Sequence, residues 1–290
     1  MTSTLRGTLQ HHVPLKDYTS WRVGGPAKQF YRPIDKVDLA NFLKSLPENE
    51  PLLWLGLGSN LLVNDEGFDG TVIFTQGCLN QLQQLDSTHL RAEAGVSCGT
   101  FARFSAKQNL TGGEFFAGIP GTMGGALKMN AGCHGDETWN HVSLVETVNR
   151  QGLIQQRTPQ EFAIAYRSTV HPEEIWFLSA DFHFEPCDSA IALEKIKNLL
   201  AHRKATQPIH LPNCGSVFRN PTGTYAGKLI EACGLKGYRI NDAAISEKHA
   251  NFIVNLGEAT ANDIAALISF IQKTVLEKHG IELIPEVHRV

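Results

Sequence analysis

The run Gly118-Ile119-Pro120-Gly121-Thr122-Met123-Gly124-Gly125-Ala126 constrains this chain more than any other. It holds four glycines within eight residues and leads into Asn130-Ala131-Gly132. Glycine loses more backbone freedom on ordering than any other residue, so the run reads as neither an ordinary helix nor a strand. It suits a backbone that passes very close to a flat or anionic group with N–H groups turned toward it. A second run, Gly56-Leu57-Gly58-Ser59-Asn60-Leu61-Leu62, follows the apolar Leu52-Leu53-Trp54-Leu55. Two such loops on strand ends point to one extended, phosphate-bearing cofactor held at two places. Either loop alone is equally compatible with a tight turn.

Neither loop carries a common nucleotide signature. Leu61 stands where GxGxxG has its last glycine, and no amphipathic helix follows, which excludes a Rossmann reading. No glycine is followed by Lys-Ser or Lys-Thr at Walker A spacing. A formal net charge of −3 argues against a nucleic-acid partner. The cysteines at 78, 98, 133, 187, 214 and 233 form no CxxC pair, and no HExxH occurs, so no metal is expected. No 18-residue apolar run predicts a membrane span, and Met1-Thr2-Ser3-Thr4-Leu5-Arg6 lacks the apolar core of a signal peptide. A cytoplasmic chain with reduced thiols is the expectation.

The 290 residues suffice for two or three domains. Helical periodicity is clear in Val37–Leu43 and Ile191–Leu200, and it predicts a last helix from about Ala261 to His279, stopped by Gly280. Strand-like runs include 72–74, 90–94, 143–148 and 175–180. Their irregular interleaving with helices predicts an α+β fold rather than a doubly wound sheet. Boundaries are expected near residue 70 and near Pro186-Cys187-Asp188.

Among candidate chemical groups, Tyr166-Arg167 reads as following a short helix, with Arg167 a planar cation suited to a carboxylate or enolate, or simply a surface arginine. Gly215 permits a turn that presents Ser216, whose hydroxyl serves equally as a nucleophile, a proton donor or a helix cap; alone, the cap is favoured. The polar runs 234–239 and 246–252 suit a phosphate or sugar, or a charged connecting loop.

In combination, these pieces resemble the UDP-N-acetylenolpyruvoylglucosamine reductase family. The resemblance is carried by YTSWRVGGPA (18–27), GLGSNLL (56–62), GIPGTMGGALKMNAG (118–132), Tyr166-Arg167, GSVFRNP (215–221), KHANFIVN (248–255) and Pro285-Glu286-Val287. It implies an FAD-binding module of the p-cresol-methylhydroxylase and vanillyl-alcohol-oxidase type, in two subdomains at 1–70 and 71–187, followed by an α+β substrate domain at 188–290. It further implies non-covalent FAD, NADPH as electron donor, and reduction of UDP-N-acetylglucosamine enolpyruvate to UDP-N-acetylmuramate in peptidoglycan precursor synthesis. Flavin N5 would supply hydride and Ser216 the proton.

On the matching motifs, Arg167 would polarise the substrate carboxylate, assisted by Glu286, whose pKa should be raised beside an enolate. The flavin would be lined by Trp21, Arg22, Gly56, Gly58, Ser59, Asn60, Leu61, Gly118, Ile119, Pro120, Gly121, Thr122, Gly124, Gly125, Ala126, Asn130 and Gly132. Substrate would meet Tyr166, Lys204, Arg219, Asn220, Lys248, His249 and Asn251. Arg219 stands where the family often has lysine, and the tail reads Ile284-Pro285-Glu286-Val287-His288 against the family's Glu-Pro-Glu-Val-Arg. Pro186-Cys187-Asp188-Ser189 joins strand to helix directly, as in the shorter branch without a tyrosine-bearing insertion. Another flavin oxidoreductase of the same fold, with His134 as an attachment point, and a non-catalytic flavin or nucleotide-sugar binder are the alternatives.

Overall fold

Local apolar patterning accounts for the scaffold around both glycine loops. The computed structural model describes residues 5–290 and divides into two units. The first comprises residues up to 10, 29–57 and 70–201; the second comprises 11–28, 58–69 and 202–290.

In the first unit, helix α1 (Lys36–Ser45) starts where the Asp35 carboxylate accepts the Asp38 N–H. It buries Leu39, Phe42 and Leu43, with Phe42 stacked on Tyr31. Asp38 is itself buried, and its carboxylate accepts from the Tyr31 hydroxyl and from the N–H groups of Arg6 and Ile34. Each of these bonds offsets part of the cost of burying the charge. Strand Leu52–Leu55 runs parallel to 71–74 at the edge of a four-stranded sheet.

The larger sheet of this unit is wholly antiparallel, in the order 154–157, 142–149, 175–183, 89–93, 82–84. Along His89–Glu93, Leu90 and Ala92 alternate inward, as the period of a half-buried strand requires. Against the sheet pack α2 (Cys98–Lys107), α3 (Met123–Met129) and α4 (Ser189–Thr206), around a core that includes Phe101, Phe116, Trp139, Phe182 and Phe184. The expected strands at 72–74, 143–148 and 175–180 form with extensions, and that at 90–94 forms as His89–Glu93, with Ala94 in the turn that follows.

The glycine run departs from its expectation. Gly124 and Gly125 lie in the first turn of α3 rather than in irregular backbone. Thr122 caps that turn, and a Cβ on Gly124 would stand 3.0 Å from the Cβ of Ala94. The helix tolerates glycine there because the close approach to Ala94 requires it.

In the second unit, α5 (Ala226–Ala232) and α6 (Ala261–His279) pack on a three-stranded antiparallel sheet of 239–240, 243–245 and 253–255. Thr260 and Asp263 form a capping box, and Gly280, at φ 65°, ends α6 at the expected residue. Ile264, Leu267, Ile268, Ile271 and Val275 line its buried stripe. The short strand Leu61–Leu62 pairs in parallel with His288–Arg289. Among the described residues the cysteines form no disulfide, and no helix is long and apolar enough to cross a membrane.

Candidate functional site

The division between the units falls inside the first glycine loop, so its two parts are held differently. In the first unit, a Cβ on Gly56 would collide with the hydroxyl oxygen of Thr122, the residue that caps α3. The two glycine loops therefore touch, and only glycine fits at the contact. In the second unit, Gly58 is at φ 60°, and a Cβ there would overlap the Tyr18 carbonyl and lie 2.8 Å from Thr19 Cα. Asn60 is anchored to the C-terminal segment, its Nδ2 donating to the Glu286 carbonyl at 3.0 Å and its own carbonyl accepting the His288 N–H at 3.0 Å. No acceptor is found among the described residues for the N–H groups of Gly56, Gly58, Ser59 or Asn60. The unpaired backbone donors of Gly58, Ser59 and Asn60, on a turn where Gly58 has no room for a side chain, fit the diphosphate of a dinucleotide.

The second glycine loop is organised otherwise. The N–H groups of Ile119, Gly121, Met123, Gly124 and Ala126 all donate to carbonyls of the chain, those of Met123 and Gly124 to Val96 and Ala94. The expectation that this loop turns its N–H groups toward an anion is corrected at these residues: the donors build α3 and its junction with residues 94–98. Gly125 remains exposed, and a Cβ there would meet only Thr122 Oγ1, at 3.8 Å. Gly118 is held against Cys133, whose Sγ would lie 2.7 Å from a Cβ. Ile119 packs partly against the core, while Pro120 is exposed.

Asn130 ends α3 in the left-handed region, at φ 40°. Its Nδ2 donates to Glu137 at 2.8 Å and to the Ala165 carbonyl at 3.2 Å, and its Oδ1 accepts from Trp139. It is buried. The amide expected to face a cofactor is instead spent on three parts of the chain. Glu137 was missed by the sequence reading, because nothing local marks it as the partner of an asparagine seven residues earlier.

A short 3-10 helix, Pro159–Glu161, does precede Arg167, but strand Ala163–Ala165 stands between them. Residues 163–165 and 168–170 form a hairpin with Tyr166-Arg167 as its two-residue turn, and Arg167 adopts φ 56°. Its Nη2 donates to the Gly132 carbonyl at 2.7 Å, and the guanidinium carbon lies 4.9 Å from the centre of the Tyr166 ring. The hairpin tip is thus fastened to the end of the second glycine loop, at Gly132 by Arg167 and at Ala165 by Asn130.

In the second unit, Ser216 caps no helix. It follows Gly215, at φ 80°, and enters an extended stretch in which Phe218 bridges Pro285 in antiparallel fashion. The Glu286 N–H donates to the Val217 carbonyl at 2.7 Å, and the Arg219 N–H to the Ile284 carbonyl at 2.9 Å. This ladder pairs Val217 with Glu286 and so brings the Ser216 strand beside the Glu286 strand across about 70 residues of sequence. The Ser216 hydroxyl has no partner among the described residues. Burial pushes the Cys214 thiol well up, and the charge of Glu286 adds to the effect.

The remaining expected contacts divide. Asn220 is exposed, and its Oδ1 accepts the Ala226 N–H at the start of α5. Lys248 Nζ donates to the Lys204 carbonyl in the last turn of α4, at 2.6 Å. Both lysines are exposed. His249 is half-buried, and its Nδ1 accepts the Asn251 N–H at 3.2 Å; burial holds its pKa below the usual imidazole range. Arg22 is exposed, at φ 59°. Two residues expected to touch ligand are enclosed: Trp21 lies in the second unit's core with its Nε1 on the Ile253 carbonyl, and Asn251 is hydrogen-bonded to Phe218.

Comparison with known proteins decides the lineage. Residues 207–290 match the model described as "UDP-N-acetylenolpyruvoylglucosamine reductase, C-terminal domain", and 27–157 match "FAD binding domain". The chain is 58% identical to a UDP-N-acetylenolpyruvoylglucosamine reductase of Legionella pneumophila, over 98% of this chain and 92% of the relative. It is 53% identical to that of Alkalilimnicola ehrlichii, over 98% and 95%. The chain belongs to the UDP-N-acetylenolpyruvoylglucosamine reductase family. A crystal structure of the reductase from Thermus caldophilus superposes with a TM-score of 0.82 at 32% identity, covering 99% of both chains. The fold is accordingly α+β, a flavin-binding fold of the p-cresol-methylhydroxylase type with the family's C-terminal domain, and the chain is an FAD-dependent oxidoreductase.

Proposed function

We propose that this chain reduces UDP-N-acetylglucosamine enolpyruvate to UDP-N-acetylmuramate with electrons from NADPH, a cytoplasmic step of peptidoglycan precursor synthesis. The observation that carries the reading is the backbone ladder that joins the Ser216 strand to the Glu286 strand, with the serine hydroxyl making no hydrogen bond among the described residues. Bound FAD supplies the hydride chemistry. The unpaired amides of 58–60 would hold its diphosphate, and the two subdomains at 1–70 and 71–187 would house it.

The chain's own residues handle charge and protons. As hydride adds to the enolpyruvyl CH₂, negative charge builds on the adjacent carbon and spreads into the carboxylate. Arg167 meets that charge with a planar cation whose direction is set by its bond to Gly132. Glu286, its pKa raised beside the developing enolate, shares a proton with the carboxylate rather than repelling it. Ser216 delivers its proton to the carbon. A serine hydroxyl is a weak acid in water, so this role depends on close placement. Tyr166, Arg219, Asn220, Lys204, Lys248 and His249 grip the nucleotide sugar, largely from the domain at 188–290.

Anaerobic stopped-flow of the purified protein tests the reading. NADPH should bleach the flavin absorbance, and UDP-N-acetylglucosamine enolpyruvate should restore it. Bleaching without recovery would mean a different acceptor, with oxygen as the next candidate. Absence of a yellow cofactor after FAD is supplied would overturn the assignment of the glycine loops.

A further inference from the structure

On the N-terminal side of Ser216, Cys214 is buried in the core and the Gly215 N–H donates to Asn213 Oδ1 at 2.9 Å. Gly215 is left-handed, and a Cβ there would meet nothing within 4 Å. The serine side chain itself makes no hydrogen bond among the described residues. On the C-terminal side its position is set by Val217 and Phe218, both buried.

One edge of that pair belongs to the Glu286 segment through the ladder described above. The other edge belongs to a single residue. Asn251, 4% exposed, donates through Nδ2 to the Phe218 carbonyl at 2.9 Å and accepts the Phe218 N–H on Oδ1 at 3.0 Å. Its own carbonyl accepts the Val217 N–H at 2.9 Å. The side-chain amide thus stands in for a neighbouring strand. An apolar residue there would leave a buried N–H and a buried carbonyl unpaired.

We infer that Asn251 is a positioning residue that fixes Ser216 in the strand paired with the Glu286 segment by clamping the backbone of Phe218. The inference rests on the roles proposed above for Ser216 and Glu286. It differs from a substrate contact, because the amide is enclosed and both of its functional atoms are directed at the chain.

The test uses Asn251→Asp in the flavin-loaded protein. The substitution keeps the volume and the acceptor for the Phe218 N–H, and it sets an oxygen against the Phe218 carbonyl. NADPH-driven bleaching should stay within about twofold of wild type, while substrate-driven recovery slows tenfold or more. The dissociation constant for the UDP-sugar should change by less than about threefold, and hydrogen exchange of the 215–219 amides should accelerate. Combined with Ser216→Ala, the substitution should slow recovery no further than Ser216→Ala alone, since its effect runs through the serine.

Unchanged recovery, additive slowing in the double variant, or weakened sugar binding as the sole effect would each overturn the inference. Should Asn251→Asp fail to fold, Asn251→Ser is read by the same criteria. If the wild-type reduced protein is not recoloured by substrate, the proposed reaction fails. Hydrogen exchange then decides the clamp by itself: unaltered exchange at 215–219 in the variant overturns it.

Discussion

Gly56 and Thr122 lie so close that a Cβ on Gly56 would stand 2.9 Å from Thr122 Cγ2 and overlap the threonine hydroxyl. The contact joins the two glycine loops and involves the residue that caps α3. Gly56→Ala should therefore cost about 1–3 kcal/mol through overpacking and loosen FAD retention. Adding Thr122→Ala removes the two nearest atoms and leaves a Cβ at 3.2 Å, so it should recover part of the loss, short of the cap's contribution of about 1 kcal/mol. Thermal unfolding and flavin content after gel filtration check both.

Arg167→Lys keeps the charge and loses the planar fork that donates to Gly132. Substrate-driven flavin recovery should slow by about 10²-fold, the usual scale for losing a placed donor at a developing anion, with NADPH-driven bleaching preserved. Single-turnover kinetics of the two half-reactions separate these outcomes, and equal slowing of both would contradict the assignment.

Asn130→Ala removes bonds to Glu137, Ala165 and Trp139 and places an alanine at φ 40°. We expect a loss of about 2–4 kcal/mol, combining unpaired buried groups with left-handed strain. Asn130→Gly should relieve only the strain, roughly 1 kcal/mol. Denaturant midpoints for the pair measure the division.

Ser216→Ala should leave the first half-reaction close to wild type and cripple the second. The hydroxyl bonds to no described residue, so stability should move by about 0.5 kcal/mol or less. A matched loss in both half-reactions would remove Ser216 as proton donor.

Burial, as the leading cause, depresses the folded-state pKa of His249 below its ordinary value of 6.5. The unfolded chain then binds the proton more readily than the folded one. The stability tied to neutral His249 is complete above 6.5 and is lost as pH falls through the depressed folded value. Protonation also removes the acceptor for the Asn251 N–H. His249→Gln should flatten the acid limb of a plot of unfolding temperature against pH; an unchanged limb would show that other groups control it.

The sequence by itself determined what is local or compositional. The stripe Ile264–Val275, a threonine cap and a glycine stop specify α6 to the residue, since helix periodicity and capping operate within a few positions. The motifs carried the family. Only the tertiary structure decided why the glycines are where they are: Gly56 answers to Thr122, Gly58 to Tyr18 and Gly124 to Ala94, each a neighbour brought close by folding. It also set Arg167 in a hairpin turn rather than directly after a helix, denied Ser216 a helix to cap, and spent the side-chain amides of Asn130 and Asn251 on the chain itself. An asparagine has the same donors and acceptors in every setting. Which partners they meet, 35 residues away for Asn130 and 33 for Asn251, is settled by packing and not by neighbours in the chain.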